Sequence, residues 1–231
     1  MPHSAPDIYA TPQVGKLLAD EARVLGPLLA RCTGEHGLHL TAAAEAPTPA
    51  IPLLGHWATV RVSGASLGGD VKASGLERLP FVDDAFGVVI LSHALETTSR
   101  QDNLLDEAIR VLAPGGMLAI TGIHPVGLWS PWVARHSHRG PRPRLTWPWW
   151  WSQRLVRDDF ELSMPKRLGN PWPRATGQPF AETVLGGGYL LLARKKRPTA
   201  LTLRPRPVAV PAPMSGTLAS GARRNARQKL S

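Results

Sequence analysis

Leu79-Pro80-Phe81-Val82-Asp83-Asp84-Ala85-Phe86-Gly87-Val88-Val89-Ile90-Leu91-Ser92-His93 opens the stretch, running on to Trp129, whose reading decides the fold. Val82-Asp83-Asp84 is a turn. Gly87 to Leu91 is an unbroken apolar run of the length expected for a strand buried on both faces. Asn103 to Leu112 predicts a helix, because Leu104, Leu105, Ala108, Ile109 and Leu112 form one apolar stripe with Asp106 and Glu107 facing away. Ala113-Pro114-Gly115-Gly116 stops that helix. Met117 to Gly122 is a second buried-type strand. Strand, helix, glycine turn and strand make a βαβ unit, which implies a parallel sheet with a right-handed crossover.

Working outward, Thr11 to Cys32 carries apolar residues at a helical period, with Thr11 as cap and Pro12 in the first turn. Gly34-Glu35-His36-Gly37 reads as a glycine turn before a short strand, Leu38 to Thr41. Ala46 to Pro52 is a loop or a poor helix. Trp57 to Val62 has strand character, and Gly64 to Gly69 is a turn-rich connection. Towards the C-terminus, Leu145 to Val156 is a Trp-rich helix starting near Pro148, packed over the sheet. Phe160 to Leu162 alternates, and Gly186 to Ala193 is a glycine turn into a strand.

The chain has 231 residues, enough to bury a sizeable core, and a formal net charge of +10. Ten basic residues and no acid lie between Arg194 and Ser231, so the preceding body is formally neutral. Residues 1–197 are expected to form one domain and residues 198–231 a disordered, basic, Pro/Ala-rich tail. Such a tail can meet nucleic-acid or lipid phosphates, but it has no interleaved aromatics for base stacking, so a solubilising role is favoured. No apolar run reaches the length of a membrane span, and the first residues lack a signal-peptide pattern. Cys32 is the single cysteine, read as a buried thiol at a helix end, and it fits a reducing cytoplasm.

No metal-ligand spacing occurs; His136 and His138 form an HxH in a basic loop without a third ligand. A G-x-S-x-G elbow and a P-loop are absent too. What remains is a ligand site at strand ends, Ser92-His93 and Gly122-Ile123-His124. Each of these residues also has a purely structural reading. Ser92 and His93 can cap a strand, His124 before Pro125 can be a turn residue, and Glu96 can simply sit well at a helix start.

Three blocks, Leu79 to Phe86, Val88 to Glu96 and Glu107 to Gly116, resemble the class I S-adenosylmethionine-dependent methyltransferases, closest to the type 11 methyltransferase domain. Tyr9 to Pro12, Gly122 to Pro125 with Leu128-Trp129, and Gly187 to Lys196 are similar to a bacterial subgroup of uncharacterised members. The resemblance implies an α/β fold: a three-layer Rossmann-like methyltransferase sandwich with a mostly parallel sheet. It further implies S-adenosyl-L-methionine across the strand ends. Gly34 and Gly37 would stand in the glycine-rich first motif, Leu76 and Glu77 on the adenine side, and Ser92 and His93 at the methionine end.

The reaction implied is methyl transfer to an O, N or C nucleophile, small-molecule or macromolecular, that the residues do not identify. No catalytic residue is assigned, although His93 or His124 would be the base if one were needed. Four departures support an alternative, a degenerate methyltransferase-fold scaffold able to contact nucleic acid through the tail. The first motif is reduced to Gly34-Glu35-His36-Gly37. No acid follows the second strand between Trp57 and Ser63, the acid near the third strand falls at Gly75, and Gly87 follows Phe86 where the family has an acid. Each lost buried acceptor would cost about 1–3 kcal/mol.

Overall fold

The computed structural model describes residues 7–70, 73–74, 78–137, 142–177 and 183–197. The expected tail, residues 198–231, lies outside the described residues, as do Leu76, Glu77 and His138.

The buried runs become the central strands β1 (Gly34–Thr41), β2 (Leu54–Ser63), β5 (Phe86–Ser92) and β6 (Leu112–Ile123). β1 lies between β2 and β5, β5 pairs with β6, and all these pairings are parallel. Antiparallel strands flank them. β3 (Ser66–Gly69) and β4 (Ala73–Ser74) extend the β2 side as hairpins, so the expected turn-rich connection contains a strand. On the other side β9 (Gly188–Lys195) runs against β6, and β7 (Phe160–Leu162) and β8 (Lys166–Leu168) both run against β9.

Alternation along the central strands builds two core layers. Val89 and Leu91 of β5 face the same side as Leu38, Leu40, Ile120 and Leu191. That side is covered by Leu104, Leu105 and Ala108 of α3 (Gln101–Val111) and by Trp151 and Leu155 of α5 (Pro148–Arg157). Val88 and Ile90 face the opposite side, with Ala119, Leu190 and Leu192, beneath Leu25 and Leu29 of α1 (Pro12–Leu29). Trp151 is therefore the tryptophan of α5 that packs on the sheet, whereas Trp149 and Trp150 are exposed. Two further helices, α2 (Ala94–Thr97) and α4 (Trp129–His136), follow β5 and β6.

Three expectations are corrected. The βαβ reading holds, and Ala46 to Pro52 is a loop as expected, with α1 covering that face; but residues 112–116 belong to β6 rather than to a helix end and its stop. Thr11 precedes α1 without a side-chain cap; its hydroxyl donates back to the Ile8 carbonyl. Gly34 and Gly37 are not a turn. They lie inside β1, at its amino-terminal end, where Gly37 pairs with Trp57 and Val88. A Cβ on Gly37 would meet Leu54 Cδ2 at 2.4 Å and Trp57 Cζ3 at 2.7 Å, so the glycine makes room for those side chains.

Ile120 sits at the centre of the first core layer with no exposure. Ile120→Ala is expected to cost about 2–5 kcal/mol in urea unfolding. Val156→Ala, on the 59%-exposed outer face of α5, should change stability by less than about 0.5 kcal/mol.

Candidate functional site

In doubly wound sheets, ligands meet the carboxyl ends of the parallel strands. β5 ends there in Ser92, and His93 then turns the chain into α2 from the left-handed region, with φ of 55°. Such a conformation is uncommon outside glycine and needs support from its surroundings. The support is a set of buried polar side chains. His93 Nε2 lies 3.1 Å from Glu21 Oε1 of α1, and His93 Nδ1 lies 3.1 Å from Glu96 Oε2 of α2. Tyr9 Oη donates to the same Glu96 oxygen at 2.7 Å, and the Ile123 backbone N–H donates to the other.

His93 is fully buried, and Glu21 and Glu96 are each 2% exposed. Burial alone would hold the imidazole neutral. The charges of Glu21 and Glu96 and the hydrogen bonds to both outweigh it and push His93 up to about 10. The ring is therefore an imidazolium clasped by two carboxylates. Burial, then the charge of Glu96, pushes the Tyr9 phenol well up, so it stays a donor. Two glycines leave space for the carboxylates: a Cβ on Gly122 would come within 2.7 Å of Glu96 Oε1, and one on Gly188 within 2.8 Å of Glu21 Oε1.

A cleft of about 260 Å³ opens beside this cluster. Ala42 after β1, Ser63 and Gly64 ending β2, and Thr97 of α2 form its walls, with Asp7 and Arg61 across one side. Asp7 Oδ2 accepts from Arg61 Nη2 at 2.6 Å, and Asp7 Oδ1 accepts from the Tyr9 N–H. Arg61 Nε and Ser137 Oγ are buried and have no hydrogen-bond partner. Buried donors are normally satisfied, and these two have no partner among the described residues, although both atoms are themselves covered.

The expected site residues fall differently. Gly34 and Gly37 lie at the far end of β1 from this cleft, so the first-motif position is occupied instead by Thr41-Ala42-Ala43-Ala44. The Ala43 N–H donates to Thr41 Oγ1, which makes that turn without glycine. Leu76 and Glu77 lie outside the described residues. Neither Ser92 nor His93 lines the cleft; Ser92 Oγ is 2.9 Å from Nε2 of His39, whose ring burial holds neutral at about 4. His93, with both ring nitrogens engaged, has no free lone pair to act as a base.

His124 stands apart from the cleft. Its Nδ1 accepts from the Val126 N–H at 3.1 Å, and burial, then the charge of Arg167, lowers its pKa. Residues that sequence reading missed are Asp7, Tyr9, Arg61, Ser137 and Glu21. Only Glu21 left a signal: it shares the helical face of Val14, Leu17, Leu18 and Leu25, an acid in an apolar stripe.

Residues 56–120 match the methyltransferase domain family. The uncharacterised Escherichia coli protein YafS is 29% identical over 215 residues, covering 87% of this chain and 85% of that relative. A SAM-dependent methyltransferase from Thermotoga maritima superposes with a TM-score of 0.56 at 13% identity, over 81% of this chain and 93% of its own. A protein assigned as a methyltransferase from Bacillus halodurans gives 0.51 at 16% identity, over 76% and 98%. These structures share the Rossmann-like methyltransferase fold with this chain.

Removing one partner from a buried charge cluster leaves the others uncompensated. Glu21→Gln and His93→Gln are each expected to lower unfolding stability by about 3–5 kcal/mol. His93 holds its proton more tightly folded than unfolded, so its contribution is full below pH 6.5 and fades as pH rises towards 10. Urea midpoints between pH 6 and pH 10 should show that slope in the wild type and not in His93→Gln.

Proposed function

We propose that this chain is a class I S-adenosylmethionine-dependent methyltransferase whose cofactor occupies the cleft bounded by Ala42, Ser63 and Thr97; the family match over residues 56–120 and the shared fold support this reading. The observation carrying this reading is the cleft's position across the carboxyl ends of β1 and β2 and the start of α2, the ligand edge of such sheets.

The lining fits a ligand rich in hydrogen-bond acceptors and hydroxyls. Arg61 Nε and Ser137 Oγ have no partner among the described residues, and a small shift of either side chain would let it donate to a ligand. Asp7 supplies carboxylate lone pairs beside the end of β2, where the chain itself has Ser63 and Gly64 rather than an acid. Ala42 keeps the turn after β1 small enough for a ligand to approach its backbone. The bound cofactor would supply an electrophilic methyl group.

Catalysis would then rest on proximity and orientation in the cleft. Glu96 and His93 bond each other, and Asp7 bonds Arg61 and Tyr9. No cleft carboxylate is left without a partner to serve as a base. The reading therefore favours an acceptor that is nucleophilic without enzymic deprotonation, or one that loses its proton to solvent. Among the described residues no helix is long and apolar enough to cross a membrane, and a reducing, cytoplasmic setting suits the unpaired Cys32.

Calorimetric titration with adenosylmethionine and adenosylhomocysteine tests the proposal. Both should bind, and Ser137→Ala should weaken them by roughly 2- to 10-fold, the effect of losing one hydrogen bond. No binding of either at high micromolar concentrations would sink the enzyme reading and leave the scaffold alternative.

A further inference from the structure

The opposite edge of the sheet holds a second cleft, of about 270 Å³, with a different chemistry. It lies where α1 has ended and β5 and β6 begin, so it is at the amino edge of the parallel strands. Arg31, Arg194 and Arg197 line it, together with Cys32 and the Gly115-Gly116 turn, and no carboxylate does.

Several cations elsewhere in this protein are paired. Arg110 binds Glu107 and Asp83, Arg154 binds Asp106 and Asp158, and Lys195 and Lys196 bind Asp84 and Asp159. Arg194 and Arg197 flank those two lysines in sequence, yet neither makes an ion pair among the described residues, and Arg31 makes none. Glu161 sits opposite Arg194 in the β7–β9 register without forming one. Three unpaired guanidiniums around one depression repel one another, and an anionic ligand would relieve that repulsion.

Arg197 lies over a glycine. Gly115 has φ of +83°, and a Cβ there would fall 2.5 Å from Arg197 Nε. Gly115, inside β6, thus leaves the space in which the Arg197 side chain lies. The charge of Arg194 reaches into the same cleft, where it opposes the effect of burial on the Cys32 thiol.

From these observations we propose that the Arg31–Arg194–Arg197 cleft binds the phosphodiester backbone of a nucleic acid, at a site separate from the methyltransferase cleft. Guanidinium forks match phosphate oxygens in pairs. Six further basic residues and no acid follow Arg197 in the sequence, which suits a polymer of phosphates rather than one small anion. A membrane surface would call for apolar side chains beside the cations, and none of the large exposed apolar residues lines this cleft.

The test uses the full chain, a fluorescently labelled DNA duplex of about 20 base pairs, and anisotropy at several salt concentrations. The wild type should bind, with log affinity falling linearly in log salt. The triple variant Arg31→Gln, Arg194→Gln, Arg197→Gln should bind at least ~10-fold more weakly, and its salt slope should be smaller by roughly 2.7, about 0.9 per lost phosphate contact. All three side chains are exposed, so its urea midpoint should match the wild type.

A second full-length variant carries Arg204→Gln and the same change at the other five basic residues as far as Lys229. Loss of binding in that variant with none in the triple variant would place the contact after Arg197 and overturn the proposal. So would absence of duplex binding at ~50 mM salt while inorganic pyrophosphate or phosphatidylserine vesicles bind. Adenosylhomocysteine binding should be unchanged in the triple variant, which separates this site from the cofactor cleft.

Discussion

The imidazolium of His93, held between Glu21 and Glu96, is the contact on which the carboxyl edge of this protein depends. It joins the end of β5 to α1 and α2, and through Glu96 it also fixes Tyr9 and the end of β6. Burying two carboxylates is costly unless their charge is answered and their oxygens are bonded. Here the ring supplies the charge, and Tyr9 and the Ile123 N–H supply further donors. His93 accepts a left-handed backbone conformation because its ring is fixed at both nitrogens.

That clasp explains sequence features that look unrelated. Glycine stands at positions 122 and 188 because the Glu96 and Glu21 oxygens fill the space of a side chain. Glu21 interrupts the apolar face of α1 because the helix must deliver a charge there as well as Leu17 and Leu25. The blocks between Leu79 and Gly116 were legible because strand, helix and turn each show in a short window. The clasp around His93 was not, since Glu21, its partner, and Tyr9, which bonds Glu96, each lie more than seventy positions from the residue they meet, and the acid in the apolar face of α1 does not say what it pairs with.

The glycines of β1 show the reverse failure. Gly34 and Gly37, read locally, look like a turn that admits a ligand. In the fold Gly37 is a strand residue whose missing side chain is replaced by Leu54 and Trp57. The same residue type serves close ligand approach and close packing, and only the tertiary neighbours separate the two. Cleft residues such as Arg61 and Ser137 were invisible for a related reason. What distinguishes them is an unanswered buried donor, a property of the assembled structure.

At the first-motif position the turn after β1 is held by Thr41 and alanines. A glycine-rich turn can wrap a ligand with backbone alone, whereas an alanine turn leaves more of the recognition to side chains. In this protein the side chains that line the cleft come from outside the βαβ frame: Asp7 from the segment before α1, Arg61 from within β2, and Ser137 from beyond α4. Asp7 stands two residues from Tyr9, which Glu96 anchors. The His93 clasp therefore holds in place both α2, which forms one wall of the cleft, and the chain segment that delivers its carboxylate. The ion cluster beneath the cleft, rather than the turn after β1, thus sets where Glu96, Tyr9 and Asp7 stand.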